Sequence, residues 1–167
     1  RQKELETLVG TVEKTIASLE GRCVMTDEER FEGMKARAIA ENEERYGSEV
    51  RRRHGDAAMD AANERMAGMS QEEWNDAKAL EAAILEQLTA AKATGDPTGE
   101  AAQKLCAMHA CWLQMHWGEG AYSPAAHAAL AEGYVADPRF TAYYDGSAGE
   151  GATAFLRDAL VAWCAEQ

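Results

Sequence analysis

Apolar residues recur at spacings of three and four along nearly the whole chain, which is the period of an amphipathic helix. We find no alternating strand pattern of useful length, and only three prolines interrupt the chain. The pattern therefore predicts an all-α fold. The predicted helices cover residues 1–21, 27–46, 56–67, 70 to about 94, 97–117, 123–136 and 149–166.

The N-terminal helix, residues 1–21, has a narrow apolar stripe that ends at a glycine. Its apolar positions alternate three- and four-residue steps, as in the a/d seam of a coiled coil: Leu5, Leu8, Val12, Thr15 and Leu19. This spacing favours a dimerisation helix, with residues 1–20 contacting a second copy. The alternative is an amphipathic helix that packs on its own domain.

Residues 22–69 contain few large aliphatic side chains and many charges. Five of the seven methionines lie here, and Thr26 with Glu29 has the spacing of a capping box. Such a segment recovers little of its ordering entropy by burial, so we expect it to be the least stable part of the chain, a lid that is mobile until something docks on it. An ordinary pair of solvated helices is an equal alternative.

Residues 70–167 carry the apolar mass of a helical core. The helix that begins at Ser70 has one apolar stripe, made of Trp74, Ala77, Leu80, Ile84 and Leu88. The next helix is predicted to bury Leu105, Met108, Trp112 and Met115, with His109 and His116 on the flank of that seam.

Turn signals divide the last third of the chain. Ser123 and Pro124 have the residue types of a helix N-cap and first turn, and the Asp137-Pro138 pair marks a helix-breaking corner. We expect Tyr134, before the corner, and Phe140, after it, to face the same space. The segment DGSAGEG, residues 145–151, is predicted to be a flexible loop before a final helix with an ordinary core stripe.

The net charge and the cysteine content exclude some classes of function. A formal net charge of -12 argues against this segment binding nucleic acid itself, because phosphate binding needs a concentrated basic surface.

No stretch resembles a membrane span or a signal peptide, so we expect a soluble, cytoplasmic protein. The chain starts without an initiator methionine, which suggests a fragment of a longer protein. The four scattered cysteines, Cys23, Cys106, Cys111 and Cys164, predict reduced thiols.

Patterns typical of catalysis and of cofactor binding are weak. Cys106 and His109 would share a helical face, but Cys111 would point away from His109, which is poor spacing for a metal site. The sequence has no serine elbow, no Cys/His pair with an orienting carboxylate, and no phosphate-binding glycine loop. We therefore expect neither an enzyme nor a cofactor.

The aromatic residues are more informative. Seven of the twelve lie between positions 112 and 144, close in sequence to polar groups on His116, His127, Tyr134 and Arg139. An aromatic-lined cleft of this kind suits a bulky, flat ligand. Plain core packing explains the same rings, and from composition alone it is the better explanation.

Several segments together resemble one protein family. ELETLVGTVEKTIASLEG, MTDEERFEGM, SQEEW, YVADPRF and FLRDAL resemble the effector region of MerR-family transcriptional regulators that carry a TipAS antibiotic-recognition domain. The resemblance covers nearly the whole chain. It implies a globin-like helical domain that binds bulky hydrophobic or peptide antibiotics, behind a dimerisation helix. DNA contact would come from a winged helix-turn-helix domain that precedes this segment.

The resemblance also implies a binding site and one departure from the family pattern. Thiopeptide-binding members have a cysteine in an H-x-C-L stretch that can attack a dehydroamino acid of the ligand. Here the stretch is HAAL, with Ala129 at that position. We therefore expect noncovalent recognition of several drugs. The predicted wall comprises Trp112, His116, Trp117, Tyr122, His127, Ala129, Tyr134, Phe140 and Tyr143, with Phe31 and Met34 from the lid.

Two other functions remain open at this point. A metal or redox sensor would use the cysteines, and it would lose its response when Cys106 and Cys111 are changed to serine. A ligand-free dimerisation module would need only residues 1–20 and would fill the cleft with its own side chains.

Overall fold

The computed structural model describes residues 2–19, 25–117 and 120–167, and in the first helix the side chains of residues 6 and 9–17 only. Helices form all the regular structure in these ranges, which confirms the all-α prediction. Their bounds are α1 Gln2–Leu19, α2 Asp27–Asn42, a π-helical turn Glu43–Gly47, α3 Ser48–His54, α4 Asp56–Gly68, α5 Gln71–Thr94, α6 Glu100–His116, α7 Pro124–Ala136, α8 Pro138–Ala148 and α9 Ala152–Cys164. Within the described ranges, every helix is too short or too polar to cross a bilayer.

The chain divides into two compact units, Arg1–Gln71 and Glu72–Gln167. In the first unit α2 begins with the predicted capping box, because the Thr26 side chain accepts from the backbone N–H of Glu29 and the Glu29 carboxylate accepts from that of Thr26. Lys35, only 4% exposed, donates from Nζ to the carbonyls of Ala67 at 2.8 Å and Met69 at 2.9 Å. These bonds tie the end of α4 to α2 by satisfying carbonyls that have no helical partner.

The second unit packs α5 to α9 around one core. The predicted stripe on α5 is confirmed, since Trp74, Ala77, Ile84 and Leu88 are buried and Leu80 is half-buried. α7 packs against α9 through small residues that let the backbones approach, among them the fully buried Ala131 and Ala159. The core therefore lies among helices that hold most of the aromatic residues.

Two predicted boundaries in the second unit are wrong for local reasons. α6 begins at Glu100 rather than Pro97, because the Asp96 carboxylate accepts from the backbone N–H and the hydroxyl of Thr98, both at 2.9 Å, and holds a turn there. α9 begins at Ala152 rather than at 149, after Gly149 and Gly151, which have positive φ of 86° and 80°.

The predicted loop over residues 145–151 is also wrong in its first half, because α8 continues to Ala148. Tyr144 and Ala148 are buried one turn apart, and their packing outweighs the poor helix propensity of Gly146 and Ser147. The Asp145 carboxylate then accepts from the backbone N–H of Thr153 at 2.8 Å. It caps α9 from the preceding helix.

Candidate functional site

A chain of hydrogen-bonded polar side chains runs through the core of the second unit. Tyr122 Oη lies 3.2 Å from His127 Nδ1, His127 Nε2 lies 2.8 Å from His109 Nδ1, and His109 Nε2 lies 3.2 Å from Tyr134 Oη. The two imidazole rings, from α6 and α7, stack with centroids 4.9 Å apart. His109 is 1% exposed and His127 is fully buried. We call these four residues the polar chain.

Burial keeps both histidines neutral. It lowers the pKa of His109 to about 3, with a further contribution from neighbouring His127, and lowers the pKa of His127 to about 4. Each neutral imidazole has one N–H, so the bonds of the polar chain all run in one direction. If His109 donates to His127, then His127 donates to Tyr122; the reverse order is equally consistent. Burial also raises the pKa of Tyr134, which keeps its phenol protonated.

The polar chain ends against the aromatic corner between α7 and α8. Asp137 ends α7 and caps α8, accepting from the backbone N–H of Arg139 at 2.9 Å. The Tyr134 ring lies 5.1 Å from that of Phe140 and 5.1 Å from that of Tyr144, measured between centroids. The prediction that Tyr134 and Phe140 face the same space across this corner is confirmed.

A small pocket opens beside the polar chain, between α5, α6 and α8. Its volume is about 40 Å³, whereas drug-sized ligands occupy pockets of roughly 300–1,000 Å³. The pocket as it stands therefore holds little more than a water molecule, and a bulky ligand requires it to widen. We call it the aromatic pocket. Its lining consists of Glu81, Ile84, Leu85, His109, Trp112, Tyr143 and Tyr144.

Glu81 is the acidic group of the aromatic pocket. Its carboxylate accepts from the Tyr143 hydroxyl at 3.0 Å and from Lys78 Nζ at 2.9 Å. Burial alone would raise the pKa of Glu81, but the bonds from Lys78 and Tyr143 outweigh it and the pKa is lowered. Glu81 is therefore ionised at neutral pH.

Trp112 contributes a ring and an unused donor. Its Nε1–H is buried and has no hydrogen-bond partner among the described residues. An unpaired buried donor costs free energy, and a ligand acceptor would satisfy it. The ring stacks on His116 with centroids 4.2 Å apart, and His116 Nδ1 lies 2.8 Å from the Trp112 carbonyl oxygen.

The residues predicted for the wall occupy different places. Trp112 and Tyr143 line the aromatic pocket, with His116 behind Trp112, whereas His127 and Tyr134 belong to the buried polar chain. The Trp117 and Tyr122 rings lie together at the far end of that chain, 6.2 Å apart between centroids, and Phe140 packs on Tyr134. Ala129 is exposed on α7. In the other unit Phe31 is buried and Met34 is exposed.

Sequence reasoning missed Glu81, Tyr144 and His109. The predicted α6 seam is confirmed at Leu105, which is fully buried, but Met108, Trp112 and Met115 are only half-buried and His109 lies in the interior instead of on the flank. His109 occupies the same face as the buried Leu105 and Leu113, four residues before and after it, so helical spacing already placed it there. Its polarity alone favours the flank. Glu81 lies three residues before the buried Ile84 and so occupies the same face of α5.

The three cysteines that the structure describes are not part of the aromatic pocket lining. Cys106 and Cys164 are buried and Cys111 is exposed, whereas Cys23 lies outside the described residues. Burial raises the pKa of Cys106 to about 12 and also raises that of Cys164, so both remain protonated thiols. Among the described side chains, no three His, Cys, Asp or Glu residues converge to hold a metal ion.

Comparisons with known proteins agree on one family. The family of TipAS antibiotic-recognition domains matches residues 46–163. The HTH-type transcriptional activator Mta of Bacillus subtilis is 25% identical over all 167 residues of the chain, which cover 63% of Mta. The HTH-type transcriptional regulator SkgA of Caulobacter vibrioides is 32% identical over 93% of the chain and 60% of SkgA. The chain thus spans about three fifths of the length of these relatives.

A solved structure of TipAS from Streptomyces lividans in complex with nosiheptide, a thiopeptide antibiotic, is similar as well. Its TM-score is 0.58 at 27% sequence identity, and the match covers 86% of this chain and 96% of that one.

Proposed function

The chain belongs to the family of TipAS antibiotic-recognition domains, and we propose from this that it is the ligand-sensing effector part of a transcriptional regulator. The observation that carries the proposal is the family match over residues 46–163, which contain both the aromatic pocket and the polar chain. Two curated relatives are HTH-type regulators, which supports a regulatory, non-enzymatic role. DNA contact would come from a domain outside this chain, in keeping with its net charge of -12.

The proposed ligand is a bulky hydrophobic compound or peptide antibiotic. Aromatic rings at the pocket mouth offer large apolar contact area at low entropic cost, and Tyr143 is 42% exposed there. Because the pocket holds only about 40 Å³, binding requires a wider arrangement of α5, α6 and α8. A ligand that binds only the wide arrangement shifts the population of the domain toward that arrangement. Signalling requires such a difference in affinity between two conformations.

Recognition is proposed to be noncovalent. The family resemblance implies a cysteine in thiopeptide-binding members at the position of Ala129, which cannot form a thioether. The buried Cys106 and Cys164 remain protonated, and the exposed Cys111 is outside the pocket lining. Shape, stacking and hydrogen bonding would then hold the ligand. The closure of residues 22–69 over the ligand stays a prediction, which amide hydrogen exchange with and without ligand would check.

Dimerisation through α1 is part of the proposal. Val9, Val12 and Ile16 form an exposed apolar stripe, 55%, 54% and 47% exposed. A second copy of the helix would cover it. Changing Val12 to Glu should turn dimers into monomers in analytical ultracentrifugation, whereas Glu13→Gln, on the same helix, should leave dimers intact. A wild-type monomer at tens of micromolar would contradict this part.

Titration of the folded domain with thiopeptides, nosiheptide among them, and with polycyclic drugs tests the ligand proposal. Tryptophan fluorescence should change saturably for at least one compound. Trp112→Phe should weaken that binding by roughly tenfold or more, since large interface aromatics often contribute that much. Trp163→Phe, a half-buried indole outside the pocket lining, is the matched control. No saturable change with any compound would refute the ligand proposal.

A further inference from the structure

We infer that the aromatic pocket is a subsite for an organic ammonium group, in which Glu81 provides the charge and Tyr143, Tyr144 and Trp112 provide the walls. This rests on the proposed function, because it specifies which chemical group of a hydrophobic ligand occupies the pocket. It adds a charge preference that hydrophobic recognition alone would not produce.

The arrangement of the walls fits a cation. The Tyr143 and Tyr144 rings meet nearly at right angles, with centroids 5.0 Å apart and planes inclined by 73°, so they form a corner rather than a stack. The Trp112 ring lines the same pocket, and its unpaired Nε1–H would need an acceptor on the body of the ligand, because the ammonium itself has none. Ring faces attract cations through their quadrupole, and aromatic corners of this kind hold ammonium groups in other proteins.

The carboxylate of Glu81 adds a net charge at the same place. It lies in the pocket lining, half-buried, where solvent screens it less than it screens an exposed carboxylate. The Tyr143 hydroxyl donates to one oxygen of Glu81 and so fixes the carboxylate beside the Tyr143 ring. The volume of about 40 Å³ suits a primary ammonium head rather than a whole drug, leaving the hydrophobic body of the ligand at the mouth.

Lys78 already pairs with Glu81, and a ligand ammonium would compete with it. The Lys78 side chain is 60% exposed, against 32% for Glu81, so Lys78 regains its hydration readily when a ligand ammonium replaces it. The Lys78 ammonium also lies 5.9 Å from the centroid of the Trp74 ring, which offers it an alternative contact. Displacing Lys78 therefore costs little free energy, and removing its ammonium should increase the affinity for an ammonium ligand.

Two small probes of equal size test the subsite: 2-phenylethylammonium and the uncharged 2-phenylethanol. Binding is measured by titration at pH 7, following the indole N–H resonances of the four tryptophans by NMR. We expect the wild type to bind the ammonium about tenfold more tightly than the alcohol, the order of preference that a partly desolvated cation–π and ion-pair site gives. Glu81→Gln should abolish that preference.

Two variants keep the result interpretable. Glu86→Gln removes the same charge from an exposed position on the same helix and should preserve the ammonium preference. Lys78→Met should increase ammonium affinity and leave the alcohol unchanged. Equal binding of both probes by the wild type, no saturable binding of the ammonium, or equal effects of Glu81→Gln and Glu86→Gln would overturn the subsite. Thiopeptide binding in the same preparations would show that the proposed function survives that failure.

Discussion

The buried histidine pair makes the stability of the domain depend on pH between pH 5 and pH 7, where few other side chains change their protonation. His109 and His127 have folded-state pKa values of about 3 and about 4, against an ordinary value of 6.5. Below pH 6.5 the unfolded chain binds protons at both imidazoles while the folded chain does not. Stability is therefore fully present above that pH and is lost as the pH falls toward the folded pKa values.

The loss can be worked out for pH 5. Each histidine that stays neutral in the folded state lowers the free energy of unfolding at pH 5 by about 2 kcal/mol relative to pH 7. The pair therefore lowers it by about 4 kcal/mol. This is a large share of a typical domain stability of roughly 5–15 kcal/mol. Most carboxylates titrate below this window, so the histidines should dominate the change between pH 7 and pH 5.

Urea denaturation followed by circular dichroism at pH 7, 6 and 5 measures this dependence. His109→Gln and His127→Gln, made singly, should each remove about half of the pH dependence, since glutamine keeps hydrogen-bonding capacity but does not titrate. His54→Gln, at an exposed position, is the control and should leave the dependence unchanged. Folded-state NMR provides a second reading that does not require the variants to fold.

Two results would contradict this pH dependence. One is a wild-type free energy of unfolding that stays constant between pH 7 and pH 5. The other is an NMR titration in which the imidazole of His109 or His127 protonates near pH 6.5 in the folded protein. Either would mean that the polar chain admits water or a proton more easily than its burial implies.

Three further predictions concern single side chains. Lys35→Met should lower the free energy of unfolding by about 1–3 kcal/mol in urea, because two carbonyls at the end of α4 lose their donor; unchanged stability would contradict this. Asp145→Ala should cost about 1–2 kcal/mol by removing the α9 cap on Thr153, and Asp145→Asn, which keeps an acceptor, should cost less. With the exposed Cys111 changed to serine, Ala129→Cys should acquire a mass adduct with a thiopeptide containing a dehydroamino acid, whereas the parent and the exposed control Ala125→Cys should not; equal adducts on both cysteine variants would contradict this.

Features with local causes were predictable from the sequence. The capping box at Thr26 and the cap at Ser123 depend on side chains within three residues of the backbone they bind. The Asp137-Pro138 corner follows from the backbone restrictions of proline. The apolar stripe of α5 follows from helical spacing, because a helix must bury one face.

Features that depend on tertiary contact were not predictable. α8 continues past Gly146 because Tyr144 and Ala148 pack on the core, which local propensity does not register. His109 is buried because His127 and Tyr134, 18 and 25 residues further on, satisfy both of its nitrogens. Without those partners burial of the imidazole would be costly, so its polarity argues against the interior position that helical spacing gives it.

The aromatic pocket combines both kinds of feature. Clustering of rings between positions 112 and 144 indicated the region, and Trp112 and Tyr143 do line the pocket. Glu81 comes from a helix 31 residues before Trp112. Its spacing to the buried Ile84 sets its face of α5, but only tertiary contact, seen in the Tyr143 hydrogen bond across 62 positions, brings it beside the rings. A charge brought in from a distant helix leaves no signal in the sequence around the rings.

NMR mapping of a bound compound would show whether this domain captures a hydrophobic ligand at the aromatic pocket. A thiopeptide or polycyclic drug that binds saturably should shift the Trp112 indole N–H and the amides around Tyr143 and Glu81 more than those around Trp163. Saturable shifts confined to residues outside the pocket lining, or none with the whole panel, would contradict the account.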